Sequence, residues 1–351
     1  MGDRQWWRAD NFARKQPMLL ARAAILSAVR SFFADEGFVE VETPCLQISP
    51  GMEPHIMALS TDLAEPLAGG RQTLYLHTSP EFAMKKLLVA GMPRIFQIAH
   101  VWRDAERSER HHPEFSMLEW YRARAPYTRL MQDCAALMQA AARAAGTADF
   151  RHGDFHCDPF AEPERLSVAQ AFQERCGIDL LATTPDPRNP DRDRLAAEAR
   201  RVGLFVSDSD SWEDIFFRIM LEHIEPFLGM GRPTILYEYP LSMAALSRPN
   251  PNDPRTAERF ELYACGVELA NGFGELTDAA EQRRRFEADM ALKESLYGQR
   301  YPIDEDFLAA LESGMPDASG IALGFDRLAM LATHAAAIDD VLWAPVATPG
   351  A

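Results

Sequence analysis

Cysteine is scarce and scattered in this chain. The five residues, Cys45, Cys134, Cys157, Cys176 and Cys265, form no C-x-x-C pair. Neither a zinc site nor a disulfide framework is indicated, and a cytoplasmic location is expected. Positive charge is in deficit: 36 lysines and arginines face 52 acidic residues, a net charge of −16. Nucleic-acid binding rests on neutralising phosphates, so a broad tRNA- or DNA-binding surface is not expected. Long apolar runs are missing as well. No uninterrupted stretch reaches membrane-spanning length, and the N-terminal WWRADNFARKQP lacks an apolar signal core. No internal repeat is found. What remains, 47% hydrophobic and 25% charged residues over 351 positions, suits a soluble globular protein with one large domain or two smaller ones.

The richest stretch runs from Arg94 to Tyr121. Arg94 to Arg103 is apolar and β-prone, a charged loop follows, and Pro113 closes it. In the second strand Phe115, Met117, Glu119 and Tyr121 alternate with Glu114, Ser116, Leu118 and Trp120, so they share a face. An aromatic ring, a thioether, a carboxylate and a phenol suit a pocket that stacks a flat ring at one end and grips a cation at the other. The loop, Asp104 to His112, carries Arg107, Arg110, His111 and His112 among its acidic residues. On charge alone it also reads as a solvated hairpin tip.

Upstream, residues 1–17 read as a lead-in ending at Pro17. Apolar residues at Leu19, Ala23, Leu26, Val29 and Phe33 then predict a helix from Met18 to Asp35, with Gly37 just past its end. Phe38 to Pro44 is a short strand. Leu74 to His77 is another, and Ser79-Pro80-Glu81 opens a helix running to about Ala90, with Ser79 at the N-cap. Glu81 either complements that helix N-terminus or faces a bound amine. Tyr127 to Ala145 is an alanine-rich helix, and further helices with loops fill the region to about 230.

Thr234 to Tyr239 is a strand, and Glu258 to Ala270 predicts a hairpin turning at Cys265-Gly266. Pairing Tyr263 with Glu268 sets Glu261 diagonally opposite Glu268, roughly 7–8 Å away. Two such carboxylates are either solvated or joined by a cation, and Mg²⁺ shared with substrate phosphates fits. Asn271 reaches the face of Glu268 only if a bulge lies between them, with Gly272 as the expected aid. Asp278 to Tyr297 is an amphipathic helix. Finally, Ser319 to Leu331 is strand, glycine turn, helix. Gly324 allows close backbone approach, and Arg327 in the first helical turn makes an anion site. The plainer alternative is a capping Asp326 beside a surface arginine.

Together these stretches resemble the catalytic domain of the class IIb, lysyl-type aminoacyl-tRNA synthetases. The resemblance spans the helix ending before Pro44, TSPE at Thr78 to Glu81, the Arg103 strand and loop, PEFSMLEWY, FELYACGVELANGFGEL and ALGFDRLAML. It implies an α+β domain over 18–343, an antiparallel sheet flanked by helices, with a helical insertion at about 125–230 and a tail at 344–351. It also implies a homodimer through the first helix and strand, with ATP and Mg²⁺ as cofactors. Arg103 would hold the α-phosphate and Arg327 the γ-phosphate, both as catalytic residues. Phe115 would stack on adenine, with Glu106, His111, His112, Leu269 and Gly324 completing the ATP site. Glu261 and Glu268 would hold the metal. Ser79, Glu81, Glu119, Tyr121, Asn271, Phe273 and Glu275 would line a pocket for a lysine-like side chain, with Glu275 favoured for direct contact with the distal ammonium.

Departures narrow the resemblance. Ala105 and His112 stand where the family usually has Glu and Asn, which bears on adenine recognition alone. The first helix starts so early that no room is expected for an anticodon-binding domain. In that, in LEWYR and in the ALG form of the last motif, the chain resembles the stand-alone branch of the family that attaches (R)-β-lysine to a lysine of translation elongation factor P. Ala322 replaces a usual glycine and is expected to crowd an α-amine. Activation of (R)-β-lysine, and of α-lysine more weakly, is therefore expected, with elongation factor P as acceptor and no tRNA. The alternatives are a truncated lysyl-tRNA synthetase and an inactive regulatory paralogue.

Overall fold

The computed structural model describes residues 5–64 and 69–347; parts of the lead-in and of the tail lie outside these. An eight-stranded sheet organises the chain. Its strands are β1 (Val39–Glu40), β5 (Arg94–Trp102), β6 (Glu114–Ala123), β9 (Glu164–Ser167), β10 (Thr234–Pro240), β11 (Thr256–Ala264), β12 (Val267–Gly274) and β13 (Ala318–Gly324). The spatial order is β1-β5-β6-β13-β12-β11-β10-β9. Six central strands run antiparallel, and a parallel strand closes each edge. A three-stranded sheet of β2 (Leu46–Gln47), β3 (Ser60–Ala64) and β4 (Arg71–Leu76) stands beside it, and β7 (Phe150–His152) and β8 (Phe155–Cys157) form a small hairpin.

Helices cover one face of the main sheet. In α1 (Ala9–Asp35), Leu19, Ile25, Val29 and Phe33 turn inward at helical spacing and meet Phe96 and Trp120. Phe33 stacks on Phe96 with ring centroids 4.4 Å apart. The helix begins nine residues before its expected start and runs through Pro17. An interior proline forgoes one backbone hydrogen bond, and here the extra turn is tied down by Lys15 Nζ donating to the carbonyl of Leu342 at 3.0 Å. Among the described residues α1 is the one helix long and apolar enough to cross a membrane, which the sequence reading did not foresee. One stripe of it, including Arg22, is buried against the sheet side of the chain.

The alanine-rich α3 (Tyr127–Ala145) ends at Gly146 in the left-handed conformation, as helix C-termini favour. It packs in the same core as α9 (Phe325–Ala332), so it belongs with the main sheet and not with the insertion. The inserted lobe follows it. In α4 (Val168–Cys176), α5 (Arg192–Arg201) and α6 (Trp212–Ile219), Phe172, Leu195 and Phe216 form a second core against Leu236, Tyr239 and Tyr263. Reciprocal Ser167–Gln170 and Ser211–Asp214 capping boxes start α4 and α6.

The opposite face of the sheet stays partly open. It is bordered by α2 (Glu81–Val89), α7 (Ala279–Tyr297) and α8 (Glu305–Glu312), which share a third core of Phe82, Phe286 and Phe307.

Candidate active site

Register decides which side chains meet on the open face. Glu261, Asn271, Ala322, Glu119 and Gln97 are successive cross-strand partners on β11, β12, β13, β6 and β5. Directly paired residues share a face, so this row crosses the cleft floor. In the next row lie Arg259, Phe273, Gly320, Tyr121 and Ile95.

A bulge makes the rows possible. Leu262 pairs with Ala270 and Tyr263 with Glu268, leaving Leu269 unpaired. The bulge lies at Leu269, not at Gly272 as the sequence suggested. It turns Glu268 onto the same face as Asn271 and Phe273. Leu269 itself turns its side chain into the helix-side core, which leaves only its backbone beside Glu268.

At one end of the cleft the charged groups are loosely held. Arg327, in the first turn of α9, donates to the carbonyls of Glu268 (2.9 Å) and Arg110 (3.3 Å). Its Nη2 also lies 2.7 Å from His111 Nε2. A guanidinium can only donate, so His111 accepts through Nε2 and turns its proton on Nδ1 to Ser108 Oγ, 2.8 Å away. Burial and the Arg327 charge lower the pKa of His111 in keeping with that neutral form. Arg103 lies 3.8 Å from Glu106, and its guanidinium sits over the Phe115 ring, 5.3 Å from the centroid. Ala105 between them has φ = 63°.

Glu268 keeps 42% of its side chain exposed. Burial and Glu261 push its carboxyl upward, and Arg327, Arg259 and Arg103 counter them. Glu261 is more enclosed, accepting from Arg259 at 2.8 Å and from the Tyr263 hydroxyl at 2.6 Å. Glu225 lies near both, and burial with these two carboxylates raises it to about 7. Three carboxylates gathered in this way suit a cation beside the arginines. Among the described residues no group of three or more metal-ligating side chains forms, so such a cation would need further oxygens from a substrate.

Two expected ATP contacts stand differently. His112 is 2% exposed; its Nδ1 bonds the Glu114 carbonyl at 2.6 Å and its Nε2 accepts from the Val346 amide at 3.1 Å, so its ring is used up by the chain itself. At Gly324 an added Cβ would only touch the Arg327 stem at 3.5 Å, so the protein itself does not demand glycine there. Asp326 neither caps α9 nor leaves a surface arginine beside it. Its Oδ1 accepts from Arg22 Nη2 at 2.6 Å and its Oδ2 from the Ser116 amide at 2.7 Å, which pins α9 to α1 and β6.

At the other end the carboxylates are buried and partnered. Glu119, 1% exposed, accepts from Ser79 Oγ at 2.7 Å and from the Tyr121 hydroxyl at 2.5 Å. Ser79 also accepts from the Glu81 amide at 3.1 Å, although Pro80 holds the N-cap position. Burial, with Glu81 adding, raises Glu119 to about 8 despite both hydroxyl bonds. Glu275 is raised by burial to about 7, against the pull of Lys85. It is the residue favoured above for direct contact with a distal ammonium, and within the chain Lys85 Nζ lies 2.5 Å from Glu275 and 2.5 Å from Glu81. A side chain on Gly320 would collide with Tyr121 and Glu275, which accounts for the glycine. Asn271 Oδ1, on the floor row, is buried without a hydrogen-bond partner. A small cavity lined by Ser49, Gly51, Glu53, Thr78, Ser79 and Glu81 opens alongside.

The structure therefore brings together Arg103, Glu106, His111, Phe115, Glu268 and Arg327 at one end, and Ser79, Glu81, Glu119, Tyr121, Asn271, Phe273, Glu275 and Ala322 at the other, with Glu261 on the floor row between. Sequence reasoning missed Lys85, although its i,i+4 spacing from Glu81 was visible. It also missed Arg259, two residues before Glu261 on the same strand face, and Arg22, whose pairing with Asp326 is tertiary.

A family profile described as tRNA synthetases class II (D, K and N) matches residues 6–348. A protein of Haemophilus influenzae (strain PittGG) called elongation factor P–(R)-β-lysine ligase is 42% identical over 324 residues, covering 92% of this chain and 93% of that one. A protein of the same name from Klebsiella pneumoniae (strain 342) is 40% identical over 328 residues, covering 93% and 94%.

Proposed function

Because the chain belongs to the class II tRNA synthetase family of the D, K and N type, we propose that it is an ATP-dependent ligase that activates (R)-β-lysine and joins it to a lysine side chain of translation elongation factor P. The observation that carries the substrate reading is the buried pair Glu119 and Glu275, with the half-buried Glu81, beside Asn271, an anionic pocket at the end of the cleft away from Arg327. The acceptor comes from the relatives' names.

ATP would lie over the β6–β13–β12 floor, with adenine against Phe115 and the phosphates between Arg103 and Arg327. Arg327 would exchange its contacts with two carbonyls and His111 for phosphate oxygens. Mg²⁺, held by Glu268 and Glu261, would neutralise phosphate charge. The substrate carboxylate attacks the α-phosphorus; a new P–O bond forms, the bond to the β-phosphate bridge breaks, and pyrophosphate leaves. Positioning and charge neutralisation carry such a step without a protein nucleophile. The acceptor lysine amine then attacks the activated carbonyl, an amide forms, AMP departs, and the amine loses a proton. The distal ammonium of the substrate would sit among Glu119, Tyr121 and Glu275, and its other amine near Asn271 and Ala322. A homodimer through α1 and β1 is part of the same proposal.

The test is mass spectrometry of elongation factor P after incubation with enzyme, ATP, Mg²⁺ and (R)-β-lysine. One β-lysyl addition on a lysine is the expected result. Unmodified elongation factor P with aminoacylated tRNA in a parallel reaction would overturn the acceptor.

A further inference from the structure

Lys85 is a fully buried ammonium that the mechanism above does not use. It comes from the first turns of α2, where Phe82, Met84 and Leu88 fix the helix against the core. Its two partners reach it from different elements: Glu81 one turn earlier and Glu275 just past β12. The surrounding charged and titratable groups are Glu119 and Tyr121 on β6, Glu53 acting on Glu81, and Arg248 acting on Glu275.

Counting charges at this end of the cleft gives three carboxylates, Glu81, Glu119 and Glu275, and one ammonium, Lys85. Fully ionised, the set carries two negative charges. A diamino acid esterified to AMP through its carboxylate carries two positive charges on its amino-acid part. Without Lys85 the set would carry three, one more than such a substrate can offset, and buried unpaired charge is strongly disfavoured.

We propose that Lys85 is a positioning residue that acts as an internal counter-cation, holding Glu81 and Glu275 ionised and in place so that the pocket matches a substrate with two ammonium groups. The inference rests on the diamino-acid reading of the pocket. Burial opposes the charge on Lys85, but Glu275 and Glu81 outweigh it and raise the ammonium above the ordinary lysine value, so Lys85 keeps its proton. Glu119, at about 8 against about 7 for Glu275, carries most of the proton that the empty pocket holds at pH 7 and gives it up when a dication enters.

The experiment is calorimetric titration of the folded enzyme with (R)-β-lysine at pH 7 in buffers of different ionisation enthalpy, which reads the protons released on binding. The wild type should release about one, mostly from Glu119. Lys85→Met should also release about one and keep a second, shared by Glu81 and Glu275, because a dication offsets only two negative charges. Its KM for β-lysine should rise at least tenfold while its KM for ATP stays within about twofold. In Lys85→Met/Glu275→Gln the charge count returns to two, so KM should drop below that of Lys85→Met. If Lys85→Met does not fold, the inference is read from the double variant and Glu275→Gln: a lower KM in the double variant supports it. KM effects that simply multiply would reduce Lys85 to packing, and release of two protons by Lys85→Met would overturn the charge count. Failure of the wild type to bind β-lysine or lysine at all is a different outcome: it removes the substrate reading, and this inference falls with it.

Discussion

The two ends of the cleft hold charge in opposite ways. At the Arg327 end, Arg103, Arg327 and Glu268 are each between about a fifth and two fifths exposed, and they contact carbonyls, a neutral histidine or one another at 2.7–3.8 Å. These are contacts that water or a phosphate can replace at little cost. At the Glu119 end the carboxylates are almost wholly enclosed, and Ser79, Tyr121 and Lys85 already satisfy them. One end is arranged to wait for a polyanion that brings its own counter-ions. The other is pre-assembled, with one ammonium of the chain already in place. The difference suggests that ATP affinity depends on individual arginines, whereas amino-acid recognition depends on a sum of charges.

The sharpest way to break this comparison is to show that the ATP end also hangs on a buried pair. Arg22 and Asp326 form one behind it, at 2.6 Å. Arg22→Met leaves Asp326 buried without its partner and should cost about 3–5 kcal/mol of stability by chemical denaturation. A loss below about 1 kcal/mol would mean that α9 is held by packing alone. Next in size are Arg103→Ala and Arg327→Ala. Each removes charge-assisted contacts worth about 1.5–3 kcal/mol, and each should cut pyrophosphate exchange tenfold or more. Wild-type exchange in either would take that arginine out of the ATP site.

At the enclosed end the expected signature is a pH dependence. Glu119 is raised to about 8, so the native state holds a proton that the unfolded chain releases near the ordinary carboxylate value. The stability this proton lends is fully present below that value and is lost as pH rises through about 8. A dication binds the ionised form, so KM for β-lysine should fall by about tenfold per pH unit between pH 6 and 7.5. Glu119→Gln should flatten that slope, while the pH dependence of KM for ATP should not move. The smallest effect is expected at Ala322, whose cross-strand partners are Asn271 and Glu119. A misfit methyl discriminates by about 1 kcal/mol or somewhat more, so Ala322→Gly should raise kcat/KM for α-lysine relative to (R)-β-lysine by about fivefold. An unchanged ratio in an active variant would leave Ala322 as a packing residue.

The sheet was largely legible because its strands alternate and its turns are marked. The β11–β12 hairpin turns at Cys265-Gly266 as read, and Tyr263 pairs with Glu268. The face shared by Phe115, Met117, Glu119 and Tyr121 was legible for the same reason. Partnerships were less so. That Glu275 would meet Lys85, that the second nitrogen of His112 would be spent on Val346, and that Asp326 would hold Arg22 all depend on residues distant in sequence. No local period announces them. The start of α1 was misplaced because Pro17 resembles a boundary, whereas tertiary anchoring through Lys15 carries the helix past it.

The unpaired Leu269 gives the hairpin a parity. Counted from the turn, Glu268 is an even step from Ala270 and an odd step from Asn271, and only the one supernumerary residue reconciles the two series. Excising Leu269, or inserting a residue beside it, would leave every nearby side chain chemically intact. It would nevertheless turn either Glu268 or the Asn271–Phe273 pair through the sheet to the helix side. A shift of one position there works like a frameshift in three dimensions: the chain still spells the same residues, but half of them are delivered to the wrong face.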